Sequence, residues 1–171
     1  MKAELFSSDF MISILLFFTV LIIIAVYYQN LQSDIYEANN RNDMYAKTIN
    51  VASLLAESSG YPQFWNSTNV QVLGLYDSGK FNLTKFEYLI NKTNLDYQTV
   101  KTMLGTGAYD FFISLRNVSG SIIVKPSNPN FNYSCGLYPS NPEQTLLVKR
   151  LGVVNLEGNS TKVTLEVILW S

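Results

Sequence analysis

The sequence contains no histidine and only one cysteine, Cys135, among its 171 residues. The lack of histidine excludes catalysis and metal binding that depend on an imidazole. A single cysteine excludes a miniprotein held together by internal disulfides. Charged residues make up only 15% of the chain and the net charge is −1, so we expect no nucleic-acid partner. The hydrophobic fraction of 47% also excludes a disordered chain.

The motifs of common catalytic and nucleotide-binding sites are missing as well. The chain has no G-x-S-x-G, no P-loop, no G-x-G-x-x-G and no C-x-x-C motif. Its thirteen carboxylates form no close pair that would suit a glycosidase. The glycine pair Gly105-Thr106-Gly107 is better interpreted as a loop than as a phosphate site. We therefore predict that the protein is not an enzyme and has no catalytic residues, no metal site and no cofactor.

Residues 10–28 form a long uncharged run in which 17 of 19 residues are hydrophobic. As a helix this run would extend about 28 Å, close to the hydrocarbon thickness of a bilayer. A buried core helix and a cleavable secretory signal are the alternatives. A secretory signal has a shorter apolar core and ends at small residues, whereas this run ends at Tyr27-Tyr28-Gln29. The sequence therefore predicts a transmembrane helix that is kept as an anchor, preceded by a short cytoplasmic segment over residues 1–9.

Two signals predict the orientation of this helix. Lys2 and the α-amino group precede it, and the first basic residue after it is Arg41, which favours a cytoplasmic N-terminus. Six N-x-S/T sequons follow it, although an asparagine-rich surface would produce some of them incidentally. The candidate glycosylation sites are Asn66, Asn82, Asn91, Asn117, Asn132 and Asn159. We predict a single-pass protein of the cell membrane with an extracellular C-terminal domain.

Residues 29–59 lack proline and glycine and show a helical apolar stripe. The stripe consists of Leu31, Ile35, Ala38, Tyr45, Ile49, Ala52 and Leu55. An amphipathic helix here would continue the transmembrane helix to about 50 residues, or roughly 75 Å, with a bend or frayed turn near residues 39–42. A stripe of this kind can pack in a coiled coil or against the chain's own sheet, and we favour packing against the sheet.

The domain over residues 60–171 is predicted to contain two short helices followed by strands. The helices are predicted at 83–90, with Asn82 as a candidate N-cap, and at 96–104, with Asp96 as the N-cap and Gly105 as the end. Four antiparallel strands are predicted at 109–116, 121–125, 144–156 and 161–170, with a surface loop over 126–142. Alternation in the last strand predicts that Val163, Leu165, Val167 and Leu169 face the core while the other face is mostly solvated. The predicted fold class is α+β, with the long helix packed on a small four-stranded antiparallel sheet.

Two further features bear on function. Cys135 lies in the proline-rich loop, where a buried inert thiol or an intermolecular disulfide would each be consistent with the sequence. Tyr61, Phe64 and Trp65 form an aromatic cluster. A pocket around these three residues with convergent polar groups would favour ligand binding, and a flat surface there would count against it.

The layout resembles archaeal type IV pilin-like proteins, the class III signal peptide family. Beyond the layout, the resemblance to this family rests on the following residues, given in chain order: Gly60-x-Pro62-x-x-Trp65, Val70-x-x-x-Gly74-Leu75, Gly79-x-x-Asn82-x-x-Lys85, Tyr97-x-x-x-Lys101-x-x-Leu104-Gly105, Asp110-Phe111-x-Ile113 and the terminal Trp170.

The resemblance implies cleavage by a prepilin peptidase between Ala3 and Glu4. It also implies that an acid near the head of the helix, here Asp9, pairs with the amino terminus of a neighbouring subunit. Ala3 replaces the usual glycine, and Ser8 occupies the usual glutamate position. The alternative is that Lys2, Glu4 and Asp9 mark the cytoplasmic boundary of an uncleaved anchor.

The resulting hypothesis is a pilin-like structural or adhesive surface protein. Its partners would be the membrane, other pilin-like subunits and a prepilin peptidase, and it would reside in the membrane or in surface filaments. The alternative is a monomeric single-pass membrane protein whose extracellular domain binds a ligand or partner, as a sensor does.

Overall fold

The computed structural model describes the backbone of residues 8–171, with side chains from residue 10 onward. The chain divides after Arg41 into two compact units, and each is described here by itself. The fold is α+β, with a long N-terminal apolar helix and a curled mixed sheet.

The first unit is the N-terminal part of helix α1, which spans Ser8–Glu57. Its most apolar stretch has a mean hydropathy of 2.9, and none of that stretch is buried within the chain. All residues from 10 to 39 are exposed. Helix α1 is therefore long and apolar enough to cross a membrane. The helix runs without a break through residues 39–42, so the expectation of a frayed turn there was wrong.

The end of α1 supplies core residues to the second unit, residues 42–171. The buried positions are Met44, Thr48, Val51, Ala52 and Leu55. The predicted stripe was therefore only partly correct, because Leu31, Ile35 and Tyr45 are exposed. The buried face is rotated toward Thr48, whose hydroxyl donates to the carbonyl of Met44 at 2.7 Å and so needs no water.

The main sheet has six strands rather than the predicted four, and it is mixed rather than antiparallel. Within residues 8–171 the strands are β1 (Tyr76–Asp77), β2 (Lys80–Phe81), β3 (Asp110–Asn117), β4 (Val124–Lys125), β5 (Asn128–Asn132), β6 (Ser134–Gly136), β7 (Thr145–Leu156) and β8 (Asn159–Trp170). The order in the main sheet is β1-β2-β7-β8-β3-β6, and β4 and β5 form a separate pair. The parallel contact joins β2 to β7 through Phe81 and Val154.

The β7–β8 hairpin confirms the second predicted hairpin. Its register runs from Thr145 opposite Trp170 to Leu156 opposite Asn159. Glu157 and Gly158 make the two-residue turn with φ of 49° and 87°, which is typical of a tight hairpin turn.

The first predicted hairpin was only partly correct. Its turn is present, because the N–H of Asn117 donates to the carbonyl of Ser121 at 2.9 Å. In the main sheet, however, β3 lies between β8 and β6, and β6 comes from the segment predicted as a surface loop. Close approach explains this pairing: Gly136 has no side chain, and a Cβ there would collide with Phe111.

The inward face of β8 is as predicted, with Val163, Leu165, Val167 and Leu169 all buried. The opposite face was predicted to be mostly solvated, and this was wrong for Glu166 and Ile168, which are also buried. The carboxylate of Glu166 forms ion pairs with Arg116 and, at 2.7 Å, with Lys149 on the flanking strands. Lys149 lies directly opposite Glu166 in the sheet, whereas Arg116 is its diagonal neighbour on β3, two residues from Ser114, which lies opposite Glu166. Both positions are within reach of a long side chain.

Helices α2 (Leu83–Leu95) and α3 (Tyr97–Leu104) lie where two short helices were predicted. Asn82 caps α2 by accepting a hydrogen bond from the N–H of Lys85 at 3.2 Å. Asp96 caps α3 in the same way, and Gly105 ends it in the left-handed conformation. The core is formed by buried residues of both helices, the end of α1 and the inner face of the sheet.

Candidate functional site

A pocket of about 300 Å³ lies beside the N-terminus of α2. Its lining combines aromatic residues, polar residues and one lysine: Phe64, Trp65, Asn66, Asn82, Thr84, Lys85 and Tyr88. Such a mixture of apolar walls with a few polar groups is typical of small-molecule sites.

Trp65 forms a fixed wall of this pocket. The residue is 1% exposed, and its Nε1 lies 3.0 Å from the carbonyl oxygen of Ser59 and 3.1 Å from that of Gly74. A Cβ at Gly60 would collide with the indole ring, so glycine is required for this approach. The ring of Tyr88 lies 6.3 Å from that of Trp65, while Phe64 is 82% exposed at the rim.

Lys85 is the buried cation of the pocket, with 4% of its surface exposed. Its Nζ donates to the carbonyl of Ser59 at 2.8 Å, the same carbonyl that faces the indole N–H. Burial lowers the pKa of Lys85, and the negative charge of Asp77 partly opposes this effect. Within residues 10–171, no ion pair includes Lys85.

The predicted aromatic cluster is therefore partly assembled into a pocket. Phe64 and Trp65 line it, whereas Tyr61 is exposed and lies outside its lining. Sequence reasoning missed Lys85 because a lysine in the first turn of a helix normally extends into water. The available signal was the spacing Asn82-x-x-Lys85, which fixes the lysine one turn from the cap.

A second pocket of about 290 Å³ adjoins the first, since Asn82 and Thr84 line both. The carboxamide of Asn82 is held between them: its Oδ1 caps α2, and its Nδ2 lies 3.4 Å from Asp77. The remainder of the lining is mostly polar, with Asp77, Ser78, Lys80 and Asn155 among its residues.

The six sequon asparagines differ in accessibility. Asn91, Asn132 and Asn159 are exposed, whereas Asn66, Asn82 and Asn117 are half-buried. In two of the half-buried sites the carboxamide oxygen accepts the hydroxyl of the sequon's own third residue at 2.7 Å. These bonds join Asn66 to Thr68 and Asn117 to Ser119.

The remaining predicted residues fall into two groups. Ala3 and Glu4, the predicted cleavage site, lie outside the described residues, and of Asp9 only the backbone is described. Cys135 is a free thiol and is buried, so the buried alternative is the one observed within this chain. Burial raises the pKa of Cys135 to about 12.

The described residues contain no cluster of histidine, cysteine and carboxylate side chains suited to hold a metal ion. No family model, no characterised protein and no solved structure matches the chain. The class of this protein is therefore defined by its architecture. It is an α+β chain with one N-terminal helix that is long and apolar enough to span a membrane.

Proposed function

We propose that this chain is a pilin-like surface protein that is anchored, or assembled with other subunits, through α1 and presents its C-terminal unit outside the cell. The observation that carries the proposal is the exposed apolar face of α1 beyond the membrane segment. Leu31, Ile35 and Ala38 share one face of the helix, and all three are exposed. A solitary anchor would leave this stripe in water, whereas neighbouring helices would bury it.

Processing by a prepilin peptidase between Ala3 and Glu4 belongs to the same proposal, as does pairing of Asp9 with a neighbouring amino terminus. In the low-dielectric membrane such an ion pair would be much stronger than in water. The intact mass of the mature protein reports the cleavage directly. A mature chain that begins at Glu4 supports processing, whereas an intact Met1 would support an uncleaved membrane anchor.

Filament preparations from cells that express the chain test assembly. The variant Ile35→Asp places a charge within the exposed stripe, and we expect it to remove the chain from filaments while membrane insertion is preserved. The matched control is Ser33→Asp, which places the same charge on the opposite face of α1. Equal recovery of both variants in filaments would contradict the assembly proposal, as would strict absence of the wild-type chain from filaments.

A monomeric single-pass protein with a ligand-binding outer domain is the second candidate function. The pocket beside α2 favours it, since a buried ammonium among aromatic rings is uncommon in a purely structural surface. Sedimentation of the detergent-solubilised chain distinguishes the two candidates, because a monomer at high protein concentration supports the second one.

Glycosylation of the outer unit is a further part of the proposal. Asn91, Asn132 and Asn159 are exposed and should carry glycans, whereas Asn82 should not, because its half-buried carboxamide caps α2 and lies against Asp77. Mapping of glycopeptides by mass spectrometry tests this ranking. A glycan on Asn82 together with bare exposed sites would overturn it.

A further inference from the structure

Lys85, which lines the pocket beside α2, has donor groups for which the described residues supply only one acceptor. The ammonium of Lys85 can donate three hydrogen bonds. Within the described residues one acceptor is found for it, the carbonyl of Ser59 at 2.8 Å. A buried cation with spare N–H groups and no ion pair is costly, so an oxygen-rich anion in the pocket would be stabilised strongly.

The position of the pocket adds to its preference for an anion. Thr84 and Lys85 lie in the first turn of α2, a helix of 13 residues whose N-terminus carries a partial positive charge. The two effects act on the same pocket, because Thr84 and Lys85 of the first turn of α2 both line it. The hydroxyl of Thr84 supplies an additional polar group at its exposed side.

The aromatic walls define the rest of the ligand. Trp65 and Tyr88 place two neighbouring aromatic rings beside the pocket, and the exposed Phe64 adds a third ring at the rim. A volume of about 300 Å³ is at the lower end for ligand sites, which fits a ligand with one ring rather than several.

We propose that this pocket binds a small carboxylate carried on a six-membered ring, with the carboxylate on Lys85 and the ring against Trp65, Tyr88 and Phe64. A sugar acid and an aromatic acid share this chemistry. This inference does not depend on filament assembly, because a subunit or a solitary anchor would present the same pocket.

Isothermal titration calorimetry on the full chain in detergent micelles tests the proposal. The protein is produced in a host that adds no glycans, so that Asn66 and Asn82 at the pocket remain unmodified. The probes are glucuronate and benzoate, with glucose and benzyl alcohol as their uncharged counterparts. We expect at least one carboxylate to bind at least tenfold more tightly than its counterpart, and which one binds identifies the ligand as a sugar acid or an aromatic acid. The proposal is overturned if neither carboxylate binds at millimolar concentration, or if the neutral compounds bind equally well.

Two variants assign the binding to this pocket. Lys85→Met keeps the length of the side chain and removes the charge, and the carbonyl of Ser59 still faces the indole N–H of Trp65. We expect it to weaken binding of the carboxylate about tenfold or more, as the loss of a charge-assisted hydrogen bond does.

Phe64→Ala removes an exposed ring and should weaken binding severalfold without unfolding the chain. Its matched control is Leu95→Ala, which removes an equally exposed apolar side chain at the far end of α2. Circular dichroism verifies the fold of each variant. If Lys85→Met does not fold, the comparison of Phe64→Ala with Leu95→Ala decides whether this pocket is the binding site. Wild-type affinity in Lys85→Met, or equal affinity in Phe64→Ala and Leu95→Ala, would exclude this pocket as the binding site.

Discussion

Asn82 connects the local structure of α2 to the pocket beside it. Its Oδ1 satisfies the N–H of Lys85, and this bond holds the first turn from which the lysine side chain extends. Asn82→Ala should therefore lower the free energy of unfolding by about 1 kcal/mol, the usual cost of losing an N-cap. Urea unfolding of the full chain in detergent measures it.

Asn91→Ala is the control for this substitution, since it removes an exposed asparagine from the middle of the same helix. Alanine has the higher helix propensity, so the control should be neutral or slightly stabilising. The capping role would be wrong if both variants unfolded at the same urea concentration as the wild type.

Cys135 should behave as a protected thiol. Only 5% of its surface is exposed, and burial raises its pKa from an ordinary value of 9.0 to about 12. At pH 8 an alkylating reagent should modify it slowly in the folded chain and rapidly in urea, because the thiolate is the reactive form. Rapid alkylation of the folded chain would contradict its burial.

The same pKa shift has a defined effect on stability. The thiol of the unfolded chain ionises from about pH 9, whereas that of the folded chain stays protonated up to about pH 12. The contribution of Cys135 to folding is thus fully present below pH 9 and is lost as the pH rises from 9 toward 12. A Cys135→Ala variant should lack this part of the alkaline destabilisation.

At the scale of elements, strand β8 lies in the middle of the main sheet and carries much of the core. Leu165 is fully buried on its inner face, opposite Leu115 of β3 and Arg150 of β7. Leu165→Asp would bury a carboxylate and remove apolar packing, which together should cost more than about 4 kcal/mol. We expect the C-terminal unit to become protease-sensitive while the chain stays in the membrane fraction.

Lys162→Asp provides the control on the same strand, because residue 162 is exposed near the hairpin turn. It introduces the same carboxylate at the surface, where the cost should lie within about 0.5 kcal/mol. Continued protease resistance of Leu165→Asp would show that β8 does not face the core through this residue.

The sequence predicted those elements whose patterns are local. Alternation in β8 and the caps Asn82, Asp96 and Gly105 identified their strand and helices correctly. The sheet order depended on contacts between distant segments: β2 meets β7 through Phe81, and β6 follows a run rich in proline and asparagine. No periodicity in either short strand signals its pairing, because two or three residues cannot show one.

The same distinction applies to the candidate site. Phe64 and Trp65 were recognisable as an aromatic cluster, whereas the burial of Lys85 required knowledge of how residues 58–75 fold over α2. Three contacts create that arrangement: the indole N–H on Ser59, the same N–H on Gly74, and the ammonium on Ser59. Both acceptors are backbone carbonyls, which carry no sequence signature.

For the whole molecule, the central claim is that α1 anchors the chain and that the C-terminal unit lies outside the cell. Because Cys135 is buried, one engineered surface cysteine gives a clear signal with a membrane-impermeant maleimide. Ser127→Cys, at an exposed position between β4 and β5, reports on the C-terminal unit. Ser7→Cys reports on the segment that precedes the apolar run.

Labelling of these two variants on intact cells tests the claim most directly. We predict that Ser127→Cys is labelled on intact cells, and that Ser7→Cys is labelled only after the membrane is permeabilised. Wild-type chain, with Cys135 alone, should remain unlabelled in both conditions. Protection of Ser127→Cys in intact cells, or recovery of the chain in the soluble fraction after lysis, would contradict the account.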